Sequence, residues 1–244
     1  MIYFLFIAVA LISLFIEPIL KIIKQQKKER KWIYESLAYF FGLKRDYKIY
    51  VSCKGFSNWQ KVQSLAEIKK SRIKNFCVCY PSGEICQIYS NVEKIPDGAH
   101  WFEENEGLGF EEIAFDEVDL SQKEIEITNR PSKNPCGVDY ETTITNKTSE
   151  NLYPIAFGGY IKDEEKGVLV LDDVSDCAYS AKQFKNWYGM KNDFLASGES
   201  VSDPNNYDSG SGYWIYIFKT ESGEIKTVGC FHEDLAVENI KQEP

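Results

Sequence analysis

A chain of 244 residues with 43% hydrophobic and 14% aromatic content holds enough apolar material for one large domain or two modest ones, which excludes a disordered chain. The net charge is −9, but residues 1–31 carry six cations against two acids, so the rest of the chain carries −13. A body that acidic repels phosphate backbones, and no basic stripe interrupts it, which argues against nucleic-acid binding.

The chain opens with sixteen uncharged residues, apolar but for Ser13, and the apolar pattern resumes after Glu17 and Pro18 with Ile19, Leu20, Ile22 and Ile23. About 20 such residues span a hydrocarbon core of roughly 30 Å as a helix, so residues 1–23 are expected to form a single transmembrane anchor. A cleaved signal peptide fits less well, because no Lys or Arg precedes the run and its only small-residue triplet, Ala8-Val9-Ala10, lies inside it. The flanking cations, Lys21 to Lys31, all lie on the C-terminal side. The positive-inside rule then predicts a cytoplasmic body; a periplasmic or extracellular body is the alternative. Residues 24–45 form a basic juxtamembrane segment in which Ile33, Leu37, Phe40 and Phe41 recur at helical spacing, with Gly42 as a stop signal. This stripe is expected to continue the anchor along the interface or to dock on the body.

Residues 46–118 read as a small α+β unit in the order β-α-β-β. A strand is expected over 48–53. A capping box at Ser57 and Gln60 predicts a helix running to about Lys74, and two further strands flank the turn residues Pro81 to Glu84. Four of the seven cysteines fall here. Cys77 and Cys79 share a strand face by the period of two, and a two-residue Ser82-Gly83 loop would set Cys79 opposite Cys86. Cys53, Cys77, Cys79 and Cys86 are therefore weak metal candidates. The repeated spacing of zinc sites is absent, so no metal and no cofactor is assigned, and buried free thiols are the simpler reading. The turn-rich, acidic stretch 95–109 reads as a surface loop or a boundary.

From 119 to 235 short β-branched and aromatic runs recur at 123–129, 139–148, 152–161, 167–173, 212–220 and 224–231, separated by turn clusters. Regular spacing of this kind predicts an antiparallel, immunoglobulin-like β-sandwich, giving a mainly β fold overall. Trp214, Tyr216 and Phe218 alternate with Ile215 and Ile217, which predicts a central strand buried on both faces. Residues 180–187 suggest a short helix leading into a long polar loop that ends near residue 212, and an acidic tail occupies 236–244.

No nucleophile elbow, zincin, phosphate-loop or dinucleotide fingerprint occurs. The two histidines, His100 and His232, each have acids nearby, as chance supplies in so acidic a chain. Asn146-Lys-Thr148 matches the glycosylation pattern. The loop around Asp203 and Asn205 lacks the glycine and terminal glutamate of a calcium-binding loop. The expected function is a membrane-anchored, non-catalytic module that binds a protein partner near the bilayer. Tyr207, Tyr213, Asp203 and Asn205 are the candidate contact residues, since aromatic groups anchor interfaces. Two alternatives are a membrane-anchored hydrolase acting on envelope or lipid material, and an immunity-type protein that neutralises a toxin.

Overall fold

The computed structural model describes residues 2–43, 46–53, 58–68, 73–90, 92–101, 109–133, 139–172, 178–207 and 212–232, with side chains described from Pro18 onward. The fold is mainly β. Two compact units divide it: residues 1–79 with 85–99, and residues 80–84 with 100–244.

In the first unit, one unbroken helix, α1, runs Ile2–Gly42 with Pro18 inside it. The juxtamembrane stripe continues this helix and docks: Ile33, Leu37 and Phe40 are fully buried. Most of the expected membrane span falls on side chains outside those described. Among the described residues no helix is long and apolar enough to cross a membrane. The helix packs on a four-stranded antiparallel sheet of order β2-β1-β3-β4, built from β1 (Lys48–Cys53), β2 (Gln60–Val62), β3 (Ile73–Cys79) and β4 (Ile85–Tyr89). Trp32 of α1 stands 5.7 Å from the Phe76 ring and 4.9 Å from the Tyr89 ring. Beside this contact Glu29 accepts hydrogen bonds from Tyr89 Oη at 2.8 Å and Lys74 Nζ at 3.4 Å. The Tyr89 bond is the main cause holding its carboxyl below the ordinary value.

Two expectations for this unit fail. Gln60 begins strand β2 rather than capping a helix, and among the described residues the only helix between β2 and β3 is the single turn α2 (Leu65–Ile68). Gln60 lies opposite Val51, so the ladder to β1 captures the residues that the capping pattern assigned to a helix. Ser57 lies outside the described residues. The β3–β4 register also differs, with Cys79 opposite Ile85 and a shift between Val78 and Cys79. The connection is longer than two residues: Gly83 N–H donates to Tyr80 O at 2.9 Å, Tyr80 N–H donates to Glu84 O at 2.9 Å, and Gly83 takes φ 101°. A turn closed by a left-handed glycine adds a residue to one side of the hairpin, which moves Cys86 out of register with Cys79.

The second unit has two antiparallel sheets. All six expected strands form: β6 (Ile125–Pro131), β7 (Asp139–Asn146), β8 (Leu152–Asp163), β9 (Val168–Leu171), β12 (Gly212–Thr220) and β13 (Ile225–His232). The larger sheet has the order β13-β12-β8-β9-β5, with β5 (Glu112–Ala114) at one edge and β10 (Tyr179–Ser180) pairing to β8. The smaller has the order β11-β7-β6. Its edge, β11 (Ser200–Tyr207), lies where the sequence suggested a loop. The polar composition is satisfied by hydroxyl pairs across the ladder: Ser202 with Thr143 at 2.7 Å and Ser200 with Thr145 at 2.8 Å.

Both faces of β12 are buried, as its alternation predicts. Trp214, Tyr216 and Phe218 enter one core with Ile125, Ile127, Ile144 and Val201 of the smaller sheet. Ile215 and Ile217 enter a second core with Ile113, Val118 and Leu169. Phe157 of β8 anchors the first core, its ring stacked 6.0 Å from Tyr216 and 5.5 Å edge-on from Phe184. Phe184 belongs to α3 (Ala181–Trp187), the expected short helix. Its start is fixed by Gln183, whose carboxamide oxygen accepts the Ser180 N–H at 2.6 Å. On the second face Val118 sits over Gly229, where a Cβ would lie 2.6 Å from Ile215 Cδ1. Only glycine admits that approach.

Candidate functional site

The alternation of β12 places Tyr213 on the face shared by its register partners, Phe231 of β13 and Tyr160 of β8. The Tyr213 ring meets Phe231 edge-on at 5.1 Å and Phe115 at 5.5 Å. Phe115 begins the 3-10 turn Phe115–Glu117 that follows β5. The backbone of Asp119 covers the β13 edge at Thr227 and Gly229, through bonds of 2.8 and 3.2 Å. Beyond that cover Phe231 is 52% exposed, an apolar ring presented to solvent at a sheet edge. Around this aromatic rim the exposed residues Glu111, Glu112, Asp116 and Glu117 supply negative charge. Lys162 Nζ stands 4.2 Å above the Phe115 ring, so this rim already holds one cation by its ring face. Deeper in, Tyr160 Oη donates to Phe110 O at 2.7 Å, and burial pushes its phenol well above the ordinary value.

The four candidate contact residues separate. Tyr213 is half-buried in the rim. Asn205 and Tyr207 belong to β11, and their side chains lie outside those described. Asp203 of β11 is 1% exposed and faces the first core, the opposite side of the larger sheet from Tyr213. There it belongs to a buried polar group. Tyr188 Oη and Tyr216 Oη share a hydrogen bond of 2.8 Å, Thr142 Oγ1 donates to Asn129 Oδ1 at 2.8 Å, and Asn129 Nδ2 donates to Cys230 Sγ at 3.3 Å. Burial, with the nearby Asp203 charge adding to it, pushes both phenols well above their ordinary value. A buried, hydrogen-bonded network of this kind fixes how the two sheets meet.

Asn146 is fully buried. Its Nδ2 donates to Glu150 O at 2.8 Å and Leu195 O at 2.9 Å, so both amide hydrogens are engaged and the glycosylation pattern is a structural turn. Sequence reasoning missed Glu84, which is 3% exposed and accepts from Trp187 Nε1 at 3.1 Å and Asn186 Nδ2 at 3.3 Å. Nothing in a turn-forming Pro-Ser-Gly-Glu marks that glutamate for burial. His100 is half-buried, and its N–H bonds to Gly83 O at 3.0 Å. The side chain of His232 and the residues after it lie outside those described.

In the first unit Cys77 and Cys79 do share a face, both fully buried, with their sulfurs 3.7 Å apart. The hydrogen bond between them, together with burial, pushes the Cys77 thiol far up; the same bond, with Lys48 nearby, lowers Cys79. Cys53 and Cys86 are half-buried, and all the described cysteines are free thiols. Among the described residues no group of three His, Cys, Asp or Glu is arranged around a metal.

No protein-family model matches this chain, and no curated protein or solved structure is similar to it.

Proposed function

We propose that this chain is a membrane-anchored binding protein: residues 1–23 hold it in the bilayer, and its acidic β-rich body engages a basic protein partner. Two face-packed antiparallel sheets are the scaffold, in the manner of immunoglobulin-like modules. The body lies on the side of the basic flank Lys21 to Lys31, in the cytoplasm. The observation that carries this reading is the Phe115–Tyr213–Phe231 rim, whose outermost ring is 52% exposed at a sheet edge among acidic side chains. Exposed aromatic groups edged by charge suit an interface in which rings supply burial and the acids select a cationic surface. Lys162 above Phe115 is an intramolecular example of the contact that a partner's lysine or arginine would make.

The test is a photoreactive phenylalanine analogue at position 231 of the full chain, irradiated in its own membranes. The expected product is an adduct with a basic protein, suppressed by raised salt and at least about tenfold weaker with Tyr213→Ala, the loss of roughly 1.4 kcal/mol. An adduct no stronger than that from a probe at exposed Lys191 would overturn the assignment of the rim.

A further inference from the structure

In the binding reading the basic flank of α1 sets a topology but makes no contact of its own. Between Pro18 and Tyr34 the helix carries six cations, Lys21, Lys24, Lys27, Lys28, Arg30 and Lys31, against one acid, Glu29. All six cations are exposed. At about 100° per residue, Lys21, Lys24, Lys28 and Lys31 share an arc of about 80° on one side of the helix, with Lys27 at its edge. Ile33, Leu37 and Phe40, the residues seated on the first sheet, centre on a direction about 165° away. Docking on the sheet therefore turns the lysine stripe outward. The one acid of this stretch is already engaged, since Glu29 accepts from Tyr89 and Lys74 of the sheet. Lys31 pairs with Glu35 at 3.6 Å, a contact between exposed side chains that solvent screens. Lys21, Lys24 and Lys28 have no acidic partner among the described residues.

The apolar run ahead of the stripe selects what it meets. Because α1 is one helix from Ile2 to Gly42, the stripe continues the axis of residues 1–23. Measured along that axis from Ile23, Lys24 lies about 1.5 Å further on, Lys28 about 7.5 Å and Lys31 about 12 Å. A bilayer's headgroup layer is about 5–8 Å deep on each side of the hydrocarbon, and its surface potential decays over about 8 Å at physiological salt. Lys21 sits just inside Ile23, where its long stem carries the amine outward. The first three lysines thus reach the phosphates of one leaflet. A helix tilt toward the stripe brings Lys31 down to join them and carries the sheet away from the bilayer. Lysine is a compact point charge without the planar fork by which arginine grips one phosphate geometry. Such a stripe responds to charge density rather than to headgroup identity.

We propose, resting on the anchorage of residues 1–23, that Lys21, Lys24, Lys28 and Lys31 form a docking stripe for anionic phospholipid headgroups. Binding is electrostatic, and no proton or covalent bond changes hands.

The test places the full chain in phosphatidylcholine vesicles with a trace of spin-labelled lipid and reads, by electron paramagnetic resonance, the share of label immobilised against the protein. One lysine near an anionic surface strengthens association about fivefold, and the stripe faces only part of the lipid around the helix. Labelled phosphatidylserine should therefore associate about two- to threefold more strongly than labelled phosphatidylcholine, and labelled phosphatidylglycerol should match it. Raising the salt to about 1 M shortens the screening length to about 3 Å and should bring the ratio to one, an arm that needs no variant. Lys21→Gln, Lys24→Gln, Lys28→Gln and Lys31→Gln combined should do the same at low salt, glutamine being close to lysine in helix propensity. Lys191→Gln, in the other unit, should leave the ratio unchanged. A ratio of one in the unaltered protein, or a preference that survives both the salt and the four substitutions, would overturn the stripe and leave the anchor standing. If lipid of no kind were immobilised, the anchor and the stripe would fall together.

Discussion

Replacing Gly229 with alanine should destabilise the second unit, and the structure gives both the size of the effect and a way to reverse it. The new methyl would stand 2.6 Å from Ile215 Cδ1, 3.1 Å from Val118 Cγ1 and 3.3 Å from Trp214 O. Carbon atoms rest at about 3.5–4.0 Å, so the first contact is short by roughly 1 Å. Ile215 is fully buried in the second core. Overpacking of this kind costs about 1–3 kcal/mol. Ile215→Val removes the clashing Cδ1 and by itself costs about 0.5–1.5 kcal/mol. The double variant should therefore be more stable than the sum of the two single effects, by at least about 1 kcal/mol. Urea denaturation of each variant measures this. With a slope near 2 kcal/mol per molar, a loss of 2 kcal/mol moves the midpoint by about 1 M. If the two losses add to within about 0.5 kcal/mol, the contact with Ile215 does not explain the glycine, and the approach of Val118 to β13 rests on something else.

The buried phenol pair makes a second prediction of coupling. Tyr188→Phe and Tyr216→Phe should each cost about 0.5–1.5 kcal/mol by removing the hydrogen bond the two hydroxyls share, while the double variant costs less than their sum; simple additivity in denaturation would refute the pairing. The third prediction concerns pH. The Glu29 carboxyl is lowered from an ordinary value of 4.5, chiefly by Tyr89. A lowered value in the fold means that the ionised group stabilises above pH 4.5 and that this contribution is lost as pH falls through the lower, folded value. Glu29→Gln should therefore be less stable than the unaltered protein at pH 7, with the gap closing below pH 4.5. A gap independent of pH would show that shape rather than charge matters there.

What was legible in the sequence was the part governed by period and by apolar content. All six strands whose alternating apolar residues the sequence exposes in the second unit are present, and Gly42 ends α1 where the stripe of Ile33, Leu37 and Phe40 ends. The parts that were not legible depend on partners. Strand β11 reads as a loop because its stabilising groups are hydroxyls that need Thr143 and Thr145 opposite them. Gln60 reads as a cap because a local side-chain pattern says nothing of a strand waiting at Val51. The site was partly legible: Tyr213 falls in the aromatic rim, yet Phe231 and Phe115, which complete it, lie 18 and 98 residues away in the chain and share no sequence pattern with it. Asp203 looked like a loop acid, and only the fold turns it inward.

The helix α1 has a mechanical consequence. At 1.5 Å per residue its 41 residues make a rod of about 60 Å, with Pro18 inside it. Its last turns are seated on the first sheet by Ile33, Leu37 and Phe40, and a twist of one residue, about 100°, would lift all three from their places. The sheet thus sets the rotational phase of the rod. Ile19, Leu20, Ile22 and Ile23, each 44–55% exposed, point in directions dictated from about three turns away or more. Whatever meets that stretch meets it at one azimuth, and any torque applied there arrives at the sheet.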